Sequence, residues 1–167
     1  MFRKLYKDAK QLPKNSLIYV AGDIVHTKTD ISPELVQMVS EFLNNLAKIR
    51  PTVIIAGNHD ANLNNSSRLD ALTPIVENLN NDNLYYLRDS GIYTFADIDF
   101  IVYSILENSD FWPNTKDSKS KNKIGLFHGA VNNSKTDAGY TVRDENLPLK
   151  TFNGCHMTML GDIHKFQ

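Results

Sequence analysis

Short apolar runs alternate along the chain with stretches whose apolar residues recur at helical spacing. The runs of strand length are 17–21, 53–56, 84–87, 92–95, 100–103, 124–127 and 157–160. The helical patterns cover 2–12, the stretch between Ser32 and Pro51, and 69–79. Strands that alternate with helices favour an α/β layered fold with an at least partly parallel sheet.

Local signals mark the limits of several elements. A serine, a proline and a glutamate at 32–34 supply an N-cap and a first helical turn, and Pro51 limits the helix that follows. Ser90-Gly91 predicts a turn between the third and fourth strands. The polar segment 108–122 is predicted to be a mobile surface loop, with the aromatic residues of 111–113 anchoring it rather than contacting a partner.

The composition indicates what class of protein this is. The 167 residues are 41% hydrophobic and 22% charged, with a formal net charge of −1, which favours one folded core and predicts a single domain over 1–167. No apolar run approaches the roughly 18–20 residues of a membrane span. The basic N-terminus lacks the apolar stretch of a secretory signal, and the single Cys155 cannot form an internal disulfide. These features predict a cytoplasmic or otherwise intracellular protein with no membrane partner.

Two basic segments stand out against the nearly balanced total charge. Residues 1–14 hold five basic side chains against one acid, and residues 114–123 hold four against one. Such segments can contact phosphates, although an ordinary solvated lysine face has the same composition.

Four apolar runs end in residues that bind metals. In chain order they are followed by GDIVH, GNHD, HG and GDIH. Ligands bind beyond the carboxyl ends of strands in α/β sheets, so these residues converge if the strands lie together. The glycines at 22, 57, 129 and 161 would let the backbone approach an ion or a phosphate closely. The candidate residues are Asp23, His26, Asn58, His59, Asp60, His128, Asp162 and His164.

Each candidate has an ordinary structural explanation when taken alone. Asp23 could cap a turn, Asn58 could be a turn residue, and His128 could be a hydrogen-bonded core histidine. The joint pattern favours a metal site, because four of the five histidines follow strand ends and two of those ends share Gly-Asp. Mixed oxygen and nitrogen donors suit Mn²⁺, Fe²⁺ or Zn²⁺ better than Ca²⁺. The fifth histidine, His156, precedes its strand and is assigned a structural or surface role.

The four motifs, in this order, resemble those of the calcineurin-like metallophosphoesterase superfamily, for which GNHD is diagnostic. His26 stands where phosphatases of the superfamily usually have aspartate. That histidine and the ending GDIHKFQ resemble the DNA repair exonuclease branch, the SbcD-like nucleases. The resemblance runs from about residue 17 to the end of the chain. It implies a layered β-sandwich flanked by helices, which we expect to be incomplete at both ends.

The resemblance also implies the metal ligands. Asp23 is the implied bridging carboxylate between two ions, with Asn58 and His128 on the second ion and His164 on the first. Asp162 replaces the first histidine of the superfamily's Gly-His-x-His ending. A carboxylate there can bind the same ions, and the added oxygen favours Mn²⁺ or Mg²⁺ over Zn²⁺.

The implied catalytic residues are three. His59 is the implied catalytic histidine, which donates to the leaving oxygen or to the transition-state charge. Asp60 is implied to orient His59, and His26 to assist near the metals. The implied reaction is in-line hydrolysis of a phosphodiester between two divalent ions.

The sequence departs from the superfamily at both ends. No Asp-x-His motif occurs before Gly22, and the chain stops just after His164, where members of the branch continue with a DNA-contacting region. We therefore expect a partial domain with one ordered metal site and weak nuclease activity at best.

Three functions stay open. The leading one is a metal-dependent phosphodiesterase, a DNA exonuclease or nuclease-type hydrolase, using Mn²⁺ first and Mg²⁺, Fe²⁺ or Zn²⁺ as alternatives. The second is a catalytically impaired fragment or remnant that binds metal or a partner without turnover. The third is a small-molecule or phosphoprotein phosphatase, which GDIVH argues against. The resemblance further implies DNA as substrate, an ATPase partner subunit and a homodimer.

Overall fold

The computed structural model describes residues 2–26, 31–65, 68–135, 139–143 and 147–162. Within these residues the chain forms two β-sheets with helices packed beside them, so the predicted α/β layered fold is confirmed. No helix in these ranges has both the length and the apolar character needed to cross a bilayer.

The first sheet is wholly parallel and carries the longest helix. Its strands, in spatial order, are β1 (Ile18–Val20), β2 (Thr52–Ile54) and β3 (Leu84–Tyr86). The helices are α1 (Arg3–Lys10), α2 (Pro33–Ile49) and α3 (Thr73–Leu79). The predicted N-cap of α2 is confirmed, since the Ser32 hydroxyl accepts a hydrogen bond from the Leu35 amide at 3.3 Å.

The second sheet is mixed. Its strands, in spatial order, are β4 (Gly91–Phe95), β5 (Ile98–Tyr103), β6 (Asn122–His128) and β7 (Met157–Gly161). β4 pairs with β5 as an antiparallel hairpin, whereas β5, β6 and β7 run parallel. Three 3₁₀ turns also occur in the described ranges, at Ser109–Phe111, Thr115–Asp117 and Leu149–Phe152.

Alternating side chains of the central strands divide the core into layers. On β2, Ile54 packs against α2 and α3, while the neighbouring Val53 packs between the two sheets. On β5, Val102 faces the same inter-sheet layer, and Ile101 faces the opposite side of the second sheet. This period of two is what strands buried on both faces require. The sandwich therefore holds the ends of both sheets in a fixed relationship.

The structure corrects two predictions of where elements begin. Gly91 belongs to β4 and not to a turn, so the bend between β3 and β4, which lie in different sheets, falls at 89–90. α3 begins at Thr73 rather than at residue 69, since the Asp70 carboxylate accepts the amides of Leu72 and Thr73 just before the helix.

Segment 108–122 is anchored, where the sequence predicts a mobile loop. The Trp112 indole donates to the Ser104 carbonyl at 3.0 Å, and the Ser118 hydroxyl donates to the Asp99 carboxylate at 2.6 Å. Trp112 also packs edge-on against Tyr103. These contacts support its interpretation as an anchor of the segment.

Candidate metal centre

The carboxyl ends of β1, β2, β6 and β7 meet at one edge of the sandwich. Val20 lies beside Ile54 in the first sheet, and His128 lies beside Gly161 in the second. The residues that follow these strands are therefore neighbours in space, as the alternation of strands and helices predicts.

Two glycines let these strand ends approach one another. A Cβ atom on Gly22 would lie 2.6 Å from both the Gly57 amide nitrogen and Nδ1 of His128, and a Cβ on Gly161 would lie 2.5 Å from the same Nδ1. Real side chains do not make such contacts. These glycines thus serve the packing of strand ends around His128, a role that differs from the predicted close approach to an ion or a phosphate.

Two of the three acidic candidates share an unusual backbone conformation. Asp23 has φ of 53° and Asp162 has φ of 74°, and each follows a glycine at a strand end. This left-handed conformation is uncommon for residues with a side chain, although aspartate tolerates it better than most. Both carboxylates lie near the His128 ring, with the ligand atoms of the three residues within 4.8 Å of one another.

His128 is the centre of the cluster. Its Nδ1 lies 2.5 Å from the carbonyl oxygen of Ala21, which can only accept, so Nδ1 carries the hydrogen. Its Nε2 lies 3.0 Å from Oδ1 of Asn58 and 3.2 Å from Oδ2 of Asp23. Nε2 is thus within contact distance of two side-chain oxygens.

This arrangement fits a cation. Asp23, His128 and Asp162 each offer a ligand atom, and the three atoms lie within 4.8 Å of one another. A divalent ion binds such donors at about 2.0–2.2 Å, so one ion can reach all of them with small side-chain adjustments. The Nδ1 contact with a carbonyl is the outer support that metal-binding histidines ordinarily have.

His59 and His26 lie together beside the cluster. The backbone amide of His59 donates to Oδ1 of Asp23 at 2.9 Å, and its ring Nδ1 lies 2.9 Å from the His26 carbonyl oxygen. The two imidazole rings are stacked, with centroids 4.9 Å apart. The carbonyl contact assigns the hydrogen to Nδ1 and leaves Nε2 of His59 for another group.

Asp60 makes different contacts from the predicted one. Its carboxylate accepts the backbone amides of Val25 at 2.9 Å and Gly57 at 2.8 Å, and the group that contacts Nδ1 of His59 is the His26 carbonyl. The predicted orienting contact from the Asp60 carboxylate to the His59 ring is therefore not made. Burial raises the pKa of the Asp60 carboxyl, hydrogen bonds from the backbone of Val25, Gly57 and Asp23 oppose this, and the negative charge of Asp23 adds to it.

Two further predictions have different outcomes. His164, the implied ligand of a first ion, lies outside the described residues, so the structure gives no position for it. His156 is exposed, and its Nδ1 accepts the Lys123 amide at 3.2 Å, in agreement with a structural or surface role.

Backbone groups are what the sequence analysis missed at this site. The Ala21 carbonyl, the His26 carbonyl and the His59 amide each fix a functional side chain. No side-chain pattern signals these contacts, because any residue type supplies the same backbone atoms.

The sequence profile of the calcineurin-like phosphoesterases matches residues 1–166. The chain belongs to this family. It is also similar to an uncharacterized protein, R555, of Acanthamoeba polyphaga mimivirus, with 43% identity over 179 aligned positions. That alignment covers the whole of this chain and 13% of the viral protein, so the chain spans about an eighth of its relative's length. Family membership makes the chain a metallophosphoesterase domain, of a family that uses divalent metals.

Proposed function

We propose that this calcineurin-like phosphoesterase domain hydrolyses phosphodiesters of DNA with a divalent metal ion, Mn²⁺ first. The observation that carries the proposal is the convergence of Asp23, Asn58 and His128 around Nε2 of the histidine, with Asp162 within reach. Phosphoryl transfer depends mainly on positioning and on stabilisation of negative charge, which such a cluster provides.

Four side chains would hold the ion. Two carboxylates, one amide oxygen and one imidazole form a donor set that is richer in oxygen than a typical zinc site, which favours Mn²⁺ or Mg²⁺. When bound, the ion supplies positive charge to the phosphate oxygens and lowers the pKa of a water molecule. The residues in this role are Asp23, Asn58, His128 and Asp162.

His59 would contribute directly to the reaction. Its Nδ1 is engaged by the His26 carbonyl, so Nε2 is the atom that can donate a proton to a substrate oxygen. The amide of His59 holds Asp23, which ties the proton donor to a metal-binding carboxylate. The stacked His26 ring limits rotation of the His59 ring. These contacts support the proposal that His59 is the proton donor beside the ion site.

DNA is the proposed substrate because of charge as well as of resemblance. The α1 side chains Arg3, Lys4, Lys7 and Lys10 are exposed, and Phe2, at the start of α1, lines a cleft with Asp23. The other basic segment, 114–123, leads into the first residues of β6, roughly 20 Å along the strand from His128. We therefore assign phosphate contacts near the metal centre to α1. An ATPase partner and a homodimer stay predictions.

The test compares three substrates with added Mn²⁺. We expect release of p-nitrophenol from bis-p-nitrophenyl phosphate and cleavage of linear DNA, with little activity on the monoester p-nitrophenyl phosphate. EDTA and the His59→Ala variant serve as controls and should both remove activity. Preference for the monoester would favour the phosphatase alternative, and metal binding without turnover would favour the non-catalytic one. Either outcome overturns the proposal.

A further inference from the structure

Asp60 is a wholly buried acidic residue whose contacts are all with the backbone. Its exposed fraction is 0%, and its two carboxylate oxygens are divided between two loops. Oδ1 accepts the Val25 amide at 2.9 Å, and Oδ2 accepts the Gly57 amide at 2.8 Å. Its carbonyl oxygen accepts the Ala71 amide at 2.8 Å, which ties the residue to the segment before α3.

The two amides flank predicted metal ligands. Val25 lies two residues after Asp23 in the loop that follows β1, and Gly57 immediately precedes Asn58 in the loop that follows β2. The chain therefore has one carboxylate that spans the two loops that carry Asp23 and Asn58. The His59 amide, which donates to the Asp23 carboxylate, links the same two loops by a second hydrogen bond.

We propose that Asp60 is a positioning residue that fixes the separation of Asp23 and Asn58 and so sets the affinity of the metal site. The inference rests on the proposed metal centre. Outer groups that orient ligands typically contribute 10–100-fold to metal affinity. Asp60 acts through the backbone of both ligand loops. The groups that orient metal ligands usually contact a single ligand side chain instead. It touches neither the substrate nor the ion in this role.

The carboxylate is needed because both of its oxygens accept. In Asp60→Asn one oxygen becomes an NH₂ group, which would face an amide N–H and repel it. One of the two loops must then move away, and the distance between Asp23 and Asn58 changes. The size of the side chain is unchanged, so packing alone does not account for a loss of metal affinity.

Asp99 provides a matched control. It is 3% exposed, and its carboxylate accepts the hydroxyls of Thr94 at 2.7 Å and Ser118 at 2.6 Å. Asp99 pairs with Lys123 at the start of β6, roughly 16 Å along the sheet from His128. Asp99→Asn thus disturbs a buried, hydrogen-bonded carboxylate of the same domain far from the metal centre.

The experiment measures Mn²⁺ affinity by calorimetry on metal-free proteins, together with the thermal midpoint of unfolding. We expect both variants to unfold at lower temperature. Asp60→Asn should bind Mn²⁺ about 10–100-fold more weakly, and Asp99→Asn should stay within about twofold of the wild type. A folded Asp60→Asn protein with wild-type affinity, or equal losses in the two variants, overturns the inference. A wild-type protein that binds no Mn²⁺ overturns the proposed function itself, which separates the two failures.

Hydrogen exchange of the wild-type protein decides the matter if Asp60→Asn does not fold. Binding and loop closure are linked, so an ion that is favoured by the closed loops must also stabilise them. We expect Mn²⁺ to slow exchange of the Val25 and Gly57 amides beyond the increase shared by core amides of β5. An increase no larger than that of β5 overturns the inference.

Discussion

The imidazole rings of His26 and His59 lie stacked, with centroids 4.9 Å apart and planes inclined by 17°. The same His26 supplies, through its carbonyl oxygen, the contact to Nδ1 of His59 at 2.9 Å. One residue thus restrains the His59 ring in two ways, through a side chain that substitution removes and through a backbone atom that substitution keeps. The two contributions can therefore be separated by mutation.

His59→Ala should abolish phosphodiester cleavage while changing Mn²⁺ affinity little, because its side chain is a proton donor and its amide still holds Asp23. Loss of a general acid typically costs about 10²–10⁴-fold in rate. His26→Ala should have a smaller effect, since the carbonyl contact survives. Rates on bis-p-nitrophenyl phosphate and calorimetric Mn²⁺ titrations check both variants, with the exposed His156→Ala as control. If His59→Ala cleaves as fast as the wild type, the assigned role is wrong.

Asp23→Asn should weaken Mn²⁺ binding directly, because it removes a negative charge from the donor set while one oxygen still accepts the His59 amide. We expect a loss of at least about tenfold, the lower end of what outer partners of metal ligands contribute. Calorimetry at constant pH measures it. Asp8→Asn, on the exposed face of α1, removes the same charge from a residue outside the donor set and should bind normally. Equal affinities for Asp23→Asn and the wild type would contradict the proposed site.

Tyr19→Phe should stabilise the protein. The Tyr19 hydroxyl is buried and has no hydrogen-bond partner among the described residues, and such a group costs about 1–3 kcal/mol. Removing it should raise the free energy of unfolding by about 1 kcal/mol in urea titrations. Tyr86→Phe is the matched comparison, because the Tyr86 hydroxyl donates to Asp70 at 3.0 Å. That variant should lose about 1–2 kcal/mol, and a gain in it would refute the reasoning.

Asp70 should make stability sensitive to acid. Burial acts to raise the pKa of its carboxyl, but hydrogen bonds from Thr73, Arg88 and Tyr86 outweigh this and hold the pKa below its ordinary value. Because the pKa is lowered in the folded state, ionised Asp70 contributes fully to the free energy of unfolding at pH values above its unfolded-state pKa of about 3.9. This contribution is lost as the pH falls through the folded-state pKa. The difference in unfolding free energy between wild type and Asp70→Asn should therefore be largest near neutral pH and shrink below about pH 4. Urea titrations across that range measure it, and a difference that grows on acidification would contradict the assignment.

Local pattern predicted the elements whose determinants are close in sequence. The Ser32 N-cap and the spacing of Val39 and Leu46 define α2 without knowledge of the rest of the chain. The anchoring of segment 108–122 through Ser118 was beyond such reasoning, because the hydroxyl's partner, Asp99, lies 19 residues earlier in the chain and the residues around Ser118 are polar. A polar segment looks the same in sequence whether its hydrogen bonds go to water or to a buried carboxylate.

The candidate site, too, was predictable only where nearby residues determine it. The residue types at the strand ends indicated which side chains would meet, and the structure brings Asp23, Asn58, His128 and Asp162 together. The contacts of Asp60 were not predictable, because its partners are amides that every residue between the motifs possesses. Adjacency to His59 in sequence suggested an orienting contact that the turn at 58–60 does not make.

The His128 ring lies wedged between the strand ends at Gly22 and Gly161, with no room for even a methyl group on either side. Its ring cannot swing away, so its outer nitrogen is already aimed before any ion arrives. Binding of an ion at the metal centre therefore costs little conformational entropy of the chain. An ion of unsuitable size must therefore be accommodated by the Asp23 and Asp162 side chains, because the His128 ring has no room to turn.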